Sequence, residues 1–499
     1  MSLPKLPSGE LLGHPKGLFL LFGTEMWERF SYYAMRALLV LYLVDKVRAE
    51  GGGLGWEYAS ALQLYGTFTM LVYVTPLLGG WLADHITGQR LAIIIGSILM
   101  AIGQFSLALP HAWLPGYEMH AFYTGLGFLV LGNGLFKPNI STMVGDLYQP
   151  GDNRRDGAFT VFYLGVNLGM FLAGICVGLM IDQFGYQLAL DGETVQIRNY
   201  QAGFLLAGFG MLIALVLQMT LAKPLLGSIG IEPAAKRERR LQQGPRKTPL
   251  TKQEVDRLKV ILIMGLFTII FWAGFEQAGG LMNIYADRFV DRTLNIGEGA
   301  VELNPAYFQA LNPLFIMIFA PLFAMLWLKL GKHDPNSPLK FALGLALMAI
   351  GFLMMVAATL QYSTEHQSSL WWLVLAYLFF TLGELCLSPI GLAMVTRLSP
   401  LRMASLMMGA WYFFMAGANK LAGLIGALIG TNDAATDQQM VANAGAIFGG
   451  FTLAALLAAL LLYLWADKLV YWMHGSAAPI QAAPLQGAPI KVATPPQQI

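Results

Sequence analysis

Glu25, Glu28, Arg29, Tyr32, Tyr33 and Arg36 fall within twelve consecutive positions of one apolar run. Their spacings of i, i+3, i+4, i+7, i+8 and i+11 share one helical face. At 1.5 Å per residue that stripe is about 16 Å long. Two carboxylates beside two guanidiniums can hold and release protons, or grip a ligand of opposite charge. An ionisable residue at the centre of a membrane helix costs about 2.5–3.5 kcal/mol on insertion scales. The stripe must therefore face a polar cavity and not lipid. An intrahelical ion-pair ladder is the simpler reading, and Glu25–Arg29 at i,i+4 fits it. Such a ladder leaves Arg36 without a partner on its own helix.

Four other charges interrupt apolar runs: Lys137, Glu276, Glu384 and Lys420. Lys137 precedes Pro138, where a kink is expected. Lys420 is near the end of its run, and the sequence reading has it snorkelling toward water. With Lys420 set aside, the first half of the chain holds three cations and two acids, and the second half two acids and no cation. A cavity between the halves would be positive on one wall and negative on the other. A zwitterionic ligand fits that field. Buried carboxylates also suit proton carriage, because burial disfavours their charged form.

These charges stand out because charge is scarce. Of 499 residues, 56% are hydrophobic and 12% charged, about half the charge of a soluble domain. Mean hydropathy is +0.57. This excludes a disordered chain, a coiled coil and an ordinary soluble enzyme, and points to a chain mostly in lipid. Cys176 and Cys386 fall in apolar runs and imply no disulfide framework.

Twelve spans are read at about 17–44, 56–84, 89–110, 118–147, 155–182, 200–222, 255–287, 304–330, 338–360, 369–397, 400–428 and 441–473. The expected organisation is an N-terminal segment 1–16, a six-helix bundle 17–222, a basic linker 223–256, a second six-helix bundle 257–473 and a disordered tail 474–499. The first apolar run is too long and interrupted for a signal peptide. Thr251 and Glu254 form a capping-box pattern that would start the seventh span. Four of the 31 basic residues (Arg29, Arg36, Lys137, Lys420) lie inside spans. Five (Lys46, Arg48, Arg198, Arg288, Arg292) fall outside on one side, and the other 22 on the side of both termini. The positive-inside rule then places both termini in the cytoplasm.

The run Glu25-Met26-Trp27-Glu28-Arg29-Phe30-Ser31-Tyr32-Tyr33 resembles the ExxERFxYY signature of the proton-dependent oligopeptide transporters, the POT/PTR branch of the major facilitator superfamily. Phe136-Lys137-Pro138-Asn139 is similar to the family's segment in the fourth span. Phe162-Tyr163 with Asn167 and Gly169 is similar to its fifth. Phe271-Trp272 with Glu276-Gln277, Gln309 with Asn312-Pro313, Gly383-Glu384 with Ser388-Pro389, and Trp411 continue the likeness through the seventh, eighth, tenth and eleventh spans. Gly80, Asp84, Gly88 and Arg90 resemble the superfamily's loop between the second and third spans. Many bacterial members carry two extra helices between the halves. The linker here is too short and polar for them, so twelve spans are expected.

The resemblance implies an all-α major facilitator fold, with two six-helix bundles around a central cavity, and proton-coupled import of di- and tripeptides by alternating access. It implies that Arg36 and Lys137, with Arg29 nearby, bind the peptide carboxylate, and that Glu384 takes the ammonium. Asn167 and Asn312 would grip the peptide backbone. Tyr32, Tyr33, Tyr73, Tyr163, Trp272, Ser388 and Trp411 would line the pockets, although bundle packing explains each aromatic equally well. Glu25, Glu28, Arg29 and Glu276 would handle the proton, with Glu276 pairing to Arg36 when no ligand is bound. Asp84 and Arg90 would latch helix ends in gating. No cofactor, metal or nucleic acid is implied, and a monomer in a bacterial inner membrane is expected. The nearest alternative keeps the fold and proton coupling but carries nitrate, an organic anion or a peptide-like drug. Glu384 argues against simple anions. A non-transporting peptide receptor would give the proton-handling stripe no purpose. An intramembrane enzyme lacks a His-Glu-x-x-His or Gly-x-Ser-x-Gly run.

Overall fold

The computed structural model describes residues 9–46, 52–110, 113–148, 152, 154–190, 193–233, 250–296, 299–400, 403–430 and 436–474. Residues 475–499 of the expected tail, residues 234–249 of the basic linker, Arg48 and residues 1–8 lie outside the described residues, while His474 of that tail is placed against Asp256 at 3.1 Å.

Among the described residues thirteen α-helices follow in order: α1 (Lys16–Val44), α2 (Tyr58–Leu82), α3 (Gln89–Leu107), α4 (Glu118–Asp146), α5 (Arg154–Gln183), α6 (Tyr200–Leu226), α7 (Lys252–Phe275), α8 (Leu281–Arg288), α9 (Leu311–Leu330), α10 (Ser337–Glu365), α11 (Leu370–Leu398), α12 (Ala404–Gly426) and α13 (Asp437–Trp472). Local chemistry sets several of the starts. Thr251 Oγ1 accepts the Glu254 N–H, and the Glu254 carboxylate accepts the Thr251 N–H at 2.8 Å, closing the capping box of α7. Thr436 and Gln439 do the same for α13, which begins four residues before the apolar periodicity suggests. Helix α4 runs on through Pro138.

Among the described residues ten helical segments, with α7 and α8 counted as one, are long and apolar enough to cross a membrane. Helices α1 and α4 are of similar length, and α1 is set apart by the four charges of its stripe. On α13, Leu453, Leu457, Leu460 and Leu464 are each more than half exposed, while Ala455, Ala458 and Leu462 on the other face are buried. A face of large exposed leucines matches a lipid boundary, where apolar side chains need no cover.

α1 is packed on α5 and α6, α3 on α4, and α2 on α4. In the second half α10 lies against both α11 and α13, and α7 against α12. Two contacts join the halves most extensively, α2 with α12 and α5 with the 3-10 turn Pro305–Ala310 that leads into α9. At the first seam Gly66 and Gly423 let two backbones meet: a Cβ on Gly66 would stand 2.7 Å from the Gly423 Cα. Small residues at helix crossings are how close packing is achieved where lipid gives no hydrophobic drive.

Two features depart from the sequence reading. Short antiparallel hairpins pair Tyr186–Leu190 with Glu193–Ile197, and Thr293–Ile296 with Gly299–Glu302. Thr194-Val195-Gln196-Ile197 alternates polar and apolar residues, and Asp191-Gly192 is a favoured two-residue hairpin loop sequence. Among long helical runs that period-2 signal is brief. The seventh span also breaks: α7 stops at Phe275, a single 3-10 turn covers Glu276–Ala278, and α8 starts beyond Gly279-Gly280. Two adjacent glycines weaken helix propagation by about 1 kcal/mol each.

Candidate functional site

Helix α1 brings its charged stripe inside the first six helices. Arg29 Nε lies 3.1 Å from Glu25 Oε1 and 2.5 Å from Glu28 Oε2, and all three side chains are buried. The second oxygen of Glu25 and one terminal nitrogen of Arg29 are buried without a hydrogen-bond partner among the described residues. One guanidinium thus serves two carboxylates, an arrangement that one added proton relieves.

Further along α1, Arg36 reaches across the two halves of the chain. Its Nη2 donates to Glu276 Oε2 at 2.8 Å, and its Nε to the Tyr65 hydroxyl at 2.8 Å. Tyr65 in turn donates to the same carboxylate at 3.2 Å. The break after α7 makes this possible. A Cβ on Gly279 would clash with the Tyr65 hydroxyl and come within 3.0 Å of Arg36 Nε. Gly279→Ala should therefore split the triad and cost about 1–3 kcal/mol. The check is a lower melting temperature in detergent together with weakened transport; an unchanged melt would contradict the tight fit.

Two opposite charges remain without an ion pair among the described residues. Lys137 on α4 lies over the Tyr73 ring of α2, its Nζ 4.3 Å from the centroid. Glu384 on α11 accepts only the Asn312 amide among them, at 2.9 Å, and that amide also donates to Thr381 at 3.0 Å. Tyr33 lies within electrostatic range of Arg29, Arg36, Glu276 and Glu384, and its ring sits 5.4 Å from the Arg36 Cζ. Tyr32 stacks edge-on to Tyr33 and lies 5.6 Å from the Arg29 Cζ. Tyr163 is 43% exposed and within range of Glu384 and Tyr33. These residues form one constellation from α1, α2, α4, α5, α9 and α11.

Other candidates are engaged elsewhere. Asn167 spends one amide hydrogen on the Tyr163 carbonyl of its own helix, at 2.9 Å. Trp272 packs on Phe275 and Trp411 on Phe341, both nearly fully buried, so each has the packing role that any bundle aromatic can fill. Ser388 is half-buried on α11, before Pro389. Arg90 donates to the Gly227 and Ile229 carbonyls, both at 2.9 Å, tying the start of α3 to the loop after α6. Asp84 is exposed in the turn Ala83–Thr87 just before. Lys420 Nζ donates to Thr67 Oγ1 at 2.7 Å, across the α2–α12 seam.

The halves are locked together at the end where α1 finishes. Asn283 donates to the Ala37 carbonyl at 3.0 Å, Asn304 to Asp182 at 2.7 Å, and Arg198 pairs with Asp287 at 2.6 Å. Arg288 joins Tyr58 and Asp437. A cavity of about 530 Å³ lined by these charges opens there. Burial holds the Arg292 guanidinium on its wall below its ordinary range, against the opposing pull of Asp287 and Glu302.

Sequence reasoning passed over Tyr65, Asn133, Tyr377 and Thr381, and gave Gln309 no role of its own. Asn133 Nδ2 donates to Glu28 Oε1 at 3.0 Å. Gln309 donates to the Ala278 carbonyl at 2.8 Å and the Tyr377 hydroxyl at 3.1 Å, bracing the broken helix. Each is an uncharged polar residue in an apolar run, with no charge to mark it. Among the described residues no cluster of His, Cys, Asp or Glu could hold a metal ion.

A family profile described as POT family matches residues 90–221 and 236–441. The chain is 34% identical to the uncharacterized transporter YclF of Bacillus subtilis (strain 168), over 84% of this chain and 89% of that one. It is 32% identical to the di-/tripeptide transporter of Lactococcus lactis subsp. cremoris, over 80% and 86%. A crystal structure of a peptide transporter POT in complex with sulfate superposes with a TM-score of 0.81 at 33% identity, covering 94% of this chain and 98% of that one.

Proposed function

This chain belongs to the POT family of transporters, and on that premise we propose that it imports di- and tripeptides together with protons. It is an integral membrane protein of the major facilitator type. We place twelve spans in two groups of six about residues 223–256, with both termini in the cytoplasm of a bacterial inner membrane. It works as a monomer, and its only coupling ion is the proton. The locked end then faces outward.

The observation that carries this reading is how the charges are divided. Arg36 is neutralised by Glu276 across the halves, and Arg29 by Glu25 and Glu28. Lys137 in one half and Glu384 in the other remain without ion pairs among the described residues. A peptide zwitterion supplies the two missing charges: its carboxylate to Lys137, its ammonium to Glu384. Ionic and hydrogen-bonded recognition of both ends ignores side chains, so many peptides fit, with Tyr32, Tyr33, Tyr73 and Tyr163 offering apolar area of few chemical demands.

Protonation of Glu276 releases Arg36, whose planar fork suits a carboxylate. Protonation of Glu25 or Glu28 loosens Arg29. Proton and peptide thus bias one two-state arrangement of the halves. A proton falling through about 150 mV yields roughly 3.5 kcal/mol at 2.3 per 100 mV. At 1.36 per decade that sustains about a 300-fold concentration ratio.

Purified protein in liposomes with an alkaline lumen tests this. Labelled dialanine should accumulate, di- and tripeptides should compete, and nitrate and free amino acids should not. Competition by nitrate, with no dialanine uptake, would give the cavity to an anion instead.

A further inference from the structure

We propose that Asn133 is the positioning residue that distinguishes protonated from ionised Glu28, its amide turning from donor to acceptor. The proposal rests on Glu28 as a proton carrier. Glu28 is fully buried on α1, and Asn133 is 1% exposed on α4. The ionised carboxylate is held by donors on both sides, Asn133 Nδ2 on Oε1 at 3.0 Å and Arg29 Nε on Oε2 at 2.5 Å. That is what an acceptor-only group requires. The amide's own oxygen, Oδ1, is buried without a hydrogen-bond partner among the described residues. An orphaned buried acceptor carries its full desolvation penalty with nothing in return.

Protonation resolves this. A proton arriving on Glu28 Oε1 turns that oxygen into a donor, and the Nδ2 contact becomes donor against donor. A half-turn of the Asn133 amide brings Oδ1 opposite the new O–H. One N–H···O bond breaks, one O–H···O bond forms, and the orphaned oxygen gains its partner. Arg29 keeps Glu25 as its counter-charge.

The surroundings leave this role to the amide. Glu25 and Arg29 flank Glu28 on α1, and Lys137 lies one turn beyond Asn133 on α4, over Tyr73 of α2. Helix α5 meets this stretch through Gly169, against Met26 and Arg29. Helix α6 meets it through Gln218, which donates to Thr24. Of the two groups bonded to Glu28, Arg29 can only donate, whereas an amide can do either.

Infrared difference spectra across a pH titration read this without transport. The carboxylic C=O band of Glu28 is the one lost in Glu28→Gln. In Asn133→Leu, which keeps the size but neither donor nor acceptor, that band should move to the higher frequency of an unbonded acid. In Asn133→Asp, a second carboxylate should let Glu28 protonate at about tenfold lower proton concentration. An unmoved band in the first variant, an unmoved midpoint in the second, or no Glu28 band in the parent protein would each overturn the proposal. Shifts in both variants from a protein that fails to accumulate dialanine would refute the transport reading and leave the role of Asn133 standing.

Discussion

Glu28→Gln protein should accumulate no dialanine against its gradient, yet exchange labelled for unlabelled dialanine at a rate close to that of the parent. The substitution keeps the shape and hydrogen-bonding of a protonated carboxyl but carries no titratable proton. Glu28 is fully buried, between Arg29 and Asn133, so no water shell stands in for what the side chain loses. The gradient-driven ratio of about 300-fold should fall to about unity. Exchange needs only alternation with peptide bound, and its dependence on pH should flatten. Persistent accumulation would mean that another carboxylate carries the proton, and Glu25, which shares Arg29 at 3.1 Å, would be examined next by the same substitution.

The Glu25–Arg29 pair was legible in the sequence because a helix fixes it: i,i+4 spacing predicts contact before any tertiary structure exists. The excess of cations in one half and acids in the other predicted a cavity positive on one wall and negative on the other. The Arg36–Glu276 bond spans 240 positions, and only the family resemblance links its partners in the sequence. What stayed hidden was polar but uncharged. Tyr65 and Asn133 look like other residues of apolar runs, and their roles come from what a neighbouring helix presents. Gly279-Gly280 was visible, but no periodicity says that a glycine there will break α7 instead of being absorbed. The five-residue strands of the 186–197 hairpin lasted too few positions to compete with helical periods on either side.

Glu384→Gln should lower affinity for dialanine by about 3 kcal/mol, roughly a hundredfold, and leave amino-acetylated dialanine nearly unaffected. Glu384 is 8% exposed and holds only a neutral amide among the described residues, the Asn312 side chain at 2.9 Å. A buried carboxylate so weakly compensated gains most from an incoming ammonium, and its amide replacement cannot make that charge-assisted bond. Because Asn312 can bond a glutamine as well, the pocket should keep its shape. Competition of each peptide against a labelled substrate gives both affinities. Equal losses for the free and the acetylated peptide would remove Glu384 from the ammonium site and make it a structural partner of Asn312 and Thr381.

The central claim is that peptide and proton move together through one set of buried ions. It is tested most directly in liposomes that hold the protein and a trapped pH indicator, with membrane potential clamped and no pH gradient imposed. Added dialanine should acidify the lumen as it enters, and Glu28→Gln protein should admit peptide by exchange with no acidification. Peptide entry into parent liposomes at constant lumenal pH would contradict the account.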